Sequence, residues 1–397
     1  MYKLYPYFTN DGSVGLFSPD ADDIYHSVYG ALTEAYEKFI LPANFEKYFS
    51  ENNEIKILDI CFGIGYNTKS FLNYLIDFYY NESIDSNNIK YNNKIDTDNK
   101  KCKIFIHAID TDKNLACLSP FFISNKTNIK NNKLIFKNEK IKRMLSNNIQ
   151  TKFKLNKEVN ILLLEKIHKY IDNDIMELLN KKQYSVFFDK NIRRLFEFYR
   201  NEESIHTSLK KINTFLHNIY YRHLSNSYKM YLNTLKWLDF DFKLSIKDAR
   251  CAILNDTNKY NYIFLDAFTP TKCPCLWTVD FFKLLFEHLE DNGMILTYSN
   301  SALVRNAFLN AGFQVGKIYS DSAKKFTGTI ATKNKAFIKY DLSEYDLGLI
   351  KTKAGIFYRD ENLNLDNEAI IAAHKIEVDK SNLMSSSKYI KQYKKNY

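Results

Sequence analysis

The 397-residue chain has few of the residues that interrupt or crosslink a fold, with 11 glycines, 6 prolines and 6 cysteines. Six cysteines are too few, at this length, to suggest a disulfide framework. Cys273 and Cys275 have no second cysteine pair at zinc-like spacing, so we expect no metal site. The chain also lacks a secretion-signal pattern and any apolar run near the roughly 18 residues of a membrane span. We therefore expect a soluble, cytoplasmic protein without membrane attachment.

What the chain has in excess is positive charge, with a formal net charge of +10. Such a charge favours a phosphate-rich partner, because lysine and arginine replace the counterions of nucleic acid. The alternative is a solvated basic surface that binds nothing in particular, since net charge does not define a site.

Short apolar runs alternate with helical patterns along much of the chain. This alternation predicts a mostly parallel, doubly wound sheet with ligands at the carboxyl ends of its strands. The last strands form an antiparallel pair, which gives seven strands in all. The predicted strands are 55–59, 103–109, 242–246, 262–266, 293–298, 313–319 and 329–340, and the helices between them include 68–79, 279–289 and 303–311.

Four further segments complete the predicted organisation. Residues 1–20 have the pattern of a hairpin, and apolar spacing predicts a helix over 25–39. The polar segment 81–101 is expected to be a flexible loop. Lysine- and asparagine-rich residues 119–240 have amphipathic helical repeats and are interpreted as an insertion within a domain spanning 1–340. The polar tail 341–397 is expected to wrap the domain or to lack order.

A glycine-containing loop lies between the first predicted parallel strand and its helix. Gly63 and Gly65 allow the backbone to approach a ligand closely. A dinucleotide loop of the G-x-G-x-x-G type would carry a third glycine where this chain has Thr68. The loop therefore favours a nucleotide-like cofactor other than NAD.

Acidic residues follow three successive predicted strands. Asp59 is placed to orient the amino-acid part of S-adenosylmethionine, often through water, and Asp110 to accept hydrogen bonds from ribose hydroxyls. Asp248, followed by Ala249, is placed to accept from the adenine amine. Each aspartate taken singly could instead cap a helix. Their order at successive strand ends favours a cofactor site.

The most distinctive stretch runs from Asp266 to Trp277, after another buried strand. Two prolines stiffen this loop. Phe268 and Trp277 offer flat faces for a nucleobase, although either could be a core residue. Lys272 is a candidate contact for phosphate.

This stretch resembles the MnmC-like tRNA methyltransferase family, in which a strand ends in D-(G/A)-F-x-P-x-K-x-P-x-(L/M)-W. Residues 62–67 are similar to the family's F-G-x-G-x-N cofactor loop, although Cys61 replaces a usual glycine. Residues 25–35 resemble its N-terminal element, in which His26 could line the pocket. Residues 297–299, 304–305 and 311–313 resemble the segment after the fifth strand.

The resemblance implies a Rossmann-like α/β class I fold that binds S-adenosylmethionine, without FAD or metal. It implies N-methylation of the aminomethyl group on a wobble uridine, with the tRNA anticodon region as partner. Arg305 could contact RNA or form an ion pair. The implied catalytic residues are Asp266, Phe268 and Lys272, and the implied cofactor residues are Asp59, Phe62, Gly63, Gly65, Asn67, Asp110, Asp248 and Ala249.

Three alternatives remain open from the sequence. One is a methyltransferase that acts on another RNA or on a small amine. The second is an NAD-dependent oxidoreductase on a similar sheet. The third is a catalytically silent RNA-binding module that uses residues 119–240 as its surface. The motifs specify no oligomeric state.

Overall fold

The computed structural model describes residues 4–19, 23–85, 101–123, 126, 134, 137–145, 152–215 and 222–396. Most of the loop predicted at 81–101 lies outside these residues. Its first part is helical instead, because the helix that begins at Tyr66 continues to Asp85.

The N-terminal region forms a small antiparallel sheet and a short helical segment. The predicted hairpin pairs β1 (Tyr5–Phe8) with β2 (Val14–Ser18), and β3 (Asp23–Ile24) adds a third strand. Helix α1 (Ala31–Ala35) continues into a π-helical turn (Tyr36–Ile40), and α2 is Phe45–Glu51.

The helix predicted over 25–39 begins six residues later than expected. The carboxylate of Asp11, in the hairpin turn, accepts a hydrogen bond from the backbone N–H of Thr33 at 2.8 Å. This cap comes from a distant part of the chain, so local apolar spacing could not locate the start of the helix.

The predicted seven-stranded α/β fold is confirmed. The strands follow the order β6-β5-β4-β7-β8-β10-β9. Strands β4 to β8 are parallel to one another, and β10 pairs antiparallel with both β8 and β9. The strands are β4 (Glu54–Ile60), β5 (Cys102–Asp110), β6 (Leu238–Ile246), β7 (Tyr260–Leu265), β8 (Leu289–Thr297), β9 (Gln314–Ser320) and β10 (Lys325–Thr332).

Helices cover both faces of this sheet. In β4, Ile57 and Leu58 are both fully buried but join separate apolar clusters, one on each face. This explains the continuous apolar runs, which are typical of strands buried on both sides. The helices α3 (Tyr66–Asp85), α4 (Lys113–Leu118), α11 (Ala249–Leu254), α12 (Val279–Glu287) and α13 (Ala302–Asn310) connect the strands.

The described residues between β5 and β6 are mainly helical. The side chains of Leu162, Leu163 and Leu164 are buried in the same apolar cluster as one face of the sheet. This region therefore shares a core with the sheet. Its helices are α5 (Glu139–Met144), α6 (Lys157–Ile167), α7 (Asn173–Asn180), α8 (Lys190–Tyr199), α9 (Ile205–Phe215) and α10 (Arg222–Trp237).

The segment after residue 341 is more structured than its sequence indicated. It forms α14 (Glu344–Ile350), α15 (Asn367–Lys380) and α16 (Ser386–Asn396). The sequence of α15 has little apolar periodicity, because this helix buries only one residue, Ile370. Within the described part of the chain, no helix is long and apolar enough to cross a membrane.

A buried ion-pair group attaches this segment to the sheet domain. Asp346 accepts hydrogen bonds from Arg305 Nη1 at 2.8 Å and from Lys317 Nζ at 2.9 Å. Arg305 is 5% exposed. Of its two predicted roles, the structure therefore supports the ion pair and gives no accessible surface for RNA.

We predict that Asp346→Ala lowers the free energy of unfolding by about 3 kcal/mol or more, because it leaves two largely buried cations without their carboxylate. The matched control is Asp341→Ala, which removes an exposed pair with Lys335 and should change stability by less than about 0.5 kcal/mol. Urea unfolding measures both. Equal losses in the two variants would contradict the assigned role of Asp346.

Candidate functional site

The main cavity opens at the carboxyl edge of the sheet, where the strand order reverses between β4 and β7. Its volume is about 600 Å³. The loops after β4, β5, β6 and β7 line it, together with residues 23–27 and the start of α15. This is the position at which open α/β sheets bind their ligands.

The cavity is acidic although the whole chain is basic. Two basic side chains, Lys247 and Arg250, face seven acidic ones, which gives a formal charge of −5 within a chain of +10. Such a site disfavours a dinucleotide, whose pyrophosphate is anionic, and favours a cationic ligand. The seven acidic residues are Asp23, Glu34, Asp110, Asp112, Asp248, Asp266 and Asp366.

Asp110, at the end of β5, lines the cavity as the sequence suggested. Its carboxylate accepts hydrogen bonds from the backbone N–H of Gly63 at 2.6 Å and of Asp112 at 2.8 Å. Burial nevertheless raises its pKa to about 6. Each oxygen retains acceptor capacity, which suits a pair of hydroxyl donors.

Asp59 is fully buried and does not line the cavity itself. Thr68 donates a hydrogen bond to Asp59 Oδ2 at 2.6 Å. No described residue hydrogen-bonds to Oδ1. Burial, together with the charges of Asp266 and Asp110, raises the pKa of Asp59 to about 7. A buried oxygen without a partner fits an ammonium group that is reached through water.

Two glycines of the cofactor loop have different tasks. Both have left-handed backbone, with φ of 56° at Gly63 and 75° at Gly65. Gly63 lines the cavity, and a Cβ there would approach no atom closer than 3.8 Å. A Cβ on Gly65 would lie 2.5 Å from the ring of Phe62. Gly65 and the buried Phe62 therefore pack the loop and do not line the cavity.

Cys61 has a φ of 64°, in the left-handed region that glycine favours. The loop thus keeps a glycine-like conformation at the position where the family resemblance implied a glycine. Cys61, Cys273 and Cys275 all line the cavity, and the last two sulfur atoms are 3.6 Å apart. In the described part of the chain, no group of three or more His, Cys, Asp or Glu residues is arranged to hold a metal.

Asp248 and Ala249 both line the cavity, at the start of α11. The Asp248 carboxylate caps this helix and pairs with Arg250, with 2.8 Å between Nη2 and Oδ2. Arg250 also donates to Asp360 Oδ2 at 2.5 Å and to the carbonyl of Leu365 at 2.8 Å. The C-terminal segment is thereby held against the cavity wall.

Asp266 follows β7 and lines the opposite side of the cavity. Asn67 Nδ2 donates to Asp266 Oδ2 at 3.0 Å. Asn67 does not line the cavity itself. Its contact with a cofactor, which the resemblance implied, stays a prediction. Burial and the charge of Glu34 raise the pKa of Asp266 to about 7.

The rest of the Asp266–Trp277 stretch divides into lining, packing and exposed residues. Phe268 lines the cavity with Tyr25, and their ring centroids are 5.0 Å apart. Trp277 is fully buried and donates Nε1–H to the Phe268 carbonyl at 2.8 Å. Of the two interpretations of Trp277, the structure therefore supports the core residue. Lys272 is exposed and does not line the cavity.

Several lining residues were not among the predicted site residues. Tyr25, His26 and Glu34 come from the N-terminal element, and Tyr298 follows β8. Tyr298 donates its hydroxyl hydrogen to the Ala267 carbonyl at 2.8 Å. The family-like motifs contain all four, and His26 was a candidate for the cavity wall. Nothing in the spacing indicated that Tyr25, Glu34 and Tyr298 face the cavity. Asn367, from the C-terminal segment, had no signal at all.

Comparison with known proteins supports the family resemblance. Residues 209–334, from α9 through β10, match the family model described as S-adenosyl-L-methionine-dependent methyltransferase. A solved structure described as MNMC2 from Aquifex aeolicus superposes with a TM-score of 0.57 at 20% identity, over 96% of this chain and 87% of that chain. At this identity the structural likeness shows the fold alone.

Two curated relatives add sequence similarity over shorter regions. An uncharacterised protein of Methanocaldococcus jannaschii is 36% identical over 163 residues, which cover 40% of this chain and 46% of that protein. The tRNA 5-methylaminomethyl-2-thiouridine biosynthesis bifunctional protein MnmC of Campylobacter fetus is 32% identical over 62 residues, which cover 16% of this chain and 10% of that protein. The chain thus spans less than half the length of these relatives. The predicted resemblance to MnmC-like proteins is confirmed, and the matched region is similar to S-adenosylmethionine-dependent methyltransferases.

Alanine at the two loop glycines should separate backbone strain from steric crowding. Each variant loses about 1–2 kcal/mol because alanine disfavours a left-handed backbone. We predict that Gly65→Ala loses about 1–3 kcal/mol more, since its Cβ would overlap Phe62. Denaturant unfolding of both proteins checks this. A Gly63→Ala protein as unstable as Gly65→Ala would contradict the division of tasks.

The raised pKa of Asp59 predicts a pH-dependent cost to the ligand-free fold. The native carboxyl binds its proton more tightly than the unfolded one, so its contribution to stability falls as pH rises from about 4 to about 7. Asp59→Asn should remove this cost and raise the free energy of unfolding at pH 8 by roughly 2–4 kcal/mol. Thermal unfolding from pH 5 to pH 8 tests this; a variant with the pH dependence of the wild type would refute it.

Proposed function

We propose that the protein transfers a methyl group from S-adenosylmethionine to the amine of a 5-aminomethyl group on the wobble uridine of tRNA. The observation that carries this proposal is the acidic cavity at the sheet's switch point, with Asp266 and Phe268 on one side of it. S-adenosylmethionine is a cation at its sulfonium, and an alkyl amine is a cation at neutral pH. The cavity is suited to both.

We assign the cofactor to the side of the cavity formed by the ends of β4, β5 and β6. Asp59 would hold its ammonium group through water, and Asp110 its ribose hydroxyls. The backbone at Gly63 would pass close to the ligand. Asp248 and Ala249 would contact the adenine. When bound, S-adenosylmethionine supplies an electrophilic methyl group on sulfur.

Asp266 is the residue we assign to the acceptor amine. A primary alkyl amine has a pKa near 10, so it arrives as an ammonium and must lose a proton before its lone pair can attack. The pKa of Asp266, raised to about 7 by burial and by Glu34, suits a general base working near neutral pH. Asn67 fixes one of its oxygens. Most of the acceleration would come from alignment of amine and methyl group.

The aromatic pair Tyr25 and Phe268 would hold the uracil ring after it leaves the anticodon stack. Extruding a base costs a few kcal/mol, and stacking on an aromatic side chain returns about 1–3 kcal/mol. Lys272 is exposed on the following loop, where it would meet RNA phosphate. Trp277 supports the loop from beneath through its hydrogen bond to Phe268.

We predict that the purified protein transfers the labelled methyl group of S-adenosylmethionine to tRNA that carries 5-aminomethyluridine. Asp266→Ala should lower turnover by about 10²–10⁴-fold, because the base is lost, while S-adenosylhomocysteine still binds. The matched control is Asp291→Ala, which removes an exposed carboxylate far from the cavity. Radiolabel transfer and calorimetry measure the two effects.

The same assay separates the proposal from its alternatives. Transfer to a small amine or to another RNA, without transfer to this tRNA, would overturn the assigned substrate. Binding of tRNA without any transfer would favour a silent RNA-binding module. Full turnover in the Asp266→Ala protein would reject the role assigned to that residue.

A further inference from the structure

A second carboxylate, Glu34, lines the cavity near Asp266. It lies on α1, and its side chain is 13% exposed. Glu34 Oε2 accepts a hydrogen bond from the backbone N–H of Ser27 at 3.0 Å, and Oε1 pairs with Lys38. The carboxylate is therefore held in one orientation by the loop before its helix and by the turn after it.

Glu34, Asp266 and Tyr298 all line the cavity. The charges of the two carboxylates interact, since Glu34 contributes to the raised pKa of Asp266. Both charges also raise the pKa of Tyr298, after burial, so this phenol lies near both carboxylates. Among described residues, Asn67 alone donates a hydrogen bond to the Asp266 side chain, which leaves Oδ1 without a protein partner.

The charged groups around Glu34 give this part of the cavity a net negative charge. Lys38 faces it from the same helical segment and lies 5.4 Å from the centre of the Tyr298 ring. His26 faces it from the preceding loop; burial lowers the pKa of its imidazole, and the charges of Glu34 and Asp11 oppose this effect. Asp266 faces it from β7. Asp23 also lines the cavity, and its charge acts on Tyr298 as well. Three carboxylates and one ammonium give a formal charge of −2, which a cationic ligand would partly offset.

The two carboxylates differ in how readily they take up a proton. Burial would raise the pKa of Glu34, but Lys38, His26 and the hydrogen bond from Ser27 outweigh it and lower the pKa below its usual value. The pKa of Asp266 is raised. Pairs of carboxylates whose environments separate them in this way commonly have different tasks in acid–base chemistry.

We infer that Glu34 is a specificity residue, which selects a cationic amine as methyl acceptor by holding its ammonium group beside Asp266. This inference rests on the proposed function and extends it to the charge of the acceptor. A neutral substituent of the same size, such as a hydroxymethyl group, would leave the net negative charge of this part of the cavity without a cationic ligand.

Asp266 and Glu34 together account for the proton and the charge in the proposed methyl transfer. The ammonium gives one proton to Asp266, which becomes neutral, while Glu34 stays ionised. The amine lone pair then forms the N–CH₃ bond as the S–CH₃ bond breaks, and the bonding electrons stay on sulfur as a thioether. The product is a secondary ammonium, which Glu34 still faces, and Asp266 returns its proton to solvent.

The test compares the binding of two anticodon stem-loops in the presence of S-adenosylhomocysteine. One carries 5-aminomethyluridine at the wobble position and the other carries 5-hydroxymethyluridine. We expect the wild-type protein to bind the amine at least about tenfold more tightly, as for a charge-assisted hydrogen bond. In Glu34→Gln, which keeps an oxygen acceptor for Ser27, the preference should fall to about twofold or less.

Two further variants separate charge selection from a structural role. Glu34→Asp keeps the charge and should restore most of the preference. Glu37→Gln alters a buried carboxylate three residues away, which binds Ser320 and Ser322 and does not line the cavity, so it should keep the full preference. Unchanged affinity for S-adenosylhomocysteine in each variant shows that the site is folded.

The outcomes distinguish this inference from the proposed function. A wild-type preference that persists in Glu34→Gln would overturn the inference and leave the proposed function standing. A preference lost equally in Glu37→Gln would also overturn it, because the effect would then be structural. A wild-type protein that neither prefers nor methylates the amine would overturn the proposed function itself.

Discussion

The structure depends on the burial of carboxylates at the carboxyl ends of neighbouring parallel strands. Asp59, Asp110 and Asp266 end β4, β5 and β7, and these strands are adjacent in the sheet. Burial raises the pKa of all three, which shows that the ligand-free fold holds them at an electrostatic cost. Hydrogen bonds from backbone N–H groups, Thr68 and Asn67 offset part of it. A cationic ligand would offset the rest.

Residues that do not reach the cavity keep these carboxylates in place. Phe62 and Gly65 set the path of the loop after β4 by packing on each other. Trp277 supports the loop after β7 through its hydrogen bond to the Phe268 carbonyl. Arg250 connects the loop after β6 to the C-terminal segment. The cavity is therefore completed by chain that lies after the last strand of the sheet.

Much of the sheet could be predicted, because strands buried on both faces have continuous apolar runs and parallel strands place their ends together. The acid that ends each run therefore indicated the cavity, and Asp110 and Asp266 do line it. The sequence could not show which loop residues turn inward. Phe62 and Asn67 belong to the same motif as Gly63, yet their side chains are buried and do not line the cavity.

Features that depend on contacts between distant parts of the chain could not be predicted from the sequence either. The start of α1 depends on Asp11 in the hairpin turn, and the order of the C-terminal segment depends on Asp346 and Asp360, which pair with buried arginines. Local periodicity contains no information on such partners. The role proposed for Glu34 is of the same kind, because it depends on Asp266, which follows β7.

The central claim is that buried carboxylates hold a cationic cofactor, and proton release on binding tests it most directly. Calorimetric titration with S-adenosylmethionine at pH 6.5, in buffers of different ionisation enthalpy, gives the number of protons exchanged. At this pH the cofactor's ammonium is already charged, while carboxyls with a pKa of about 7 are partly protonated. The account predicts a net release of protons, as the cation returns these groups to their ionised form. Binding without release, or with proton uptake, would contradict it.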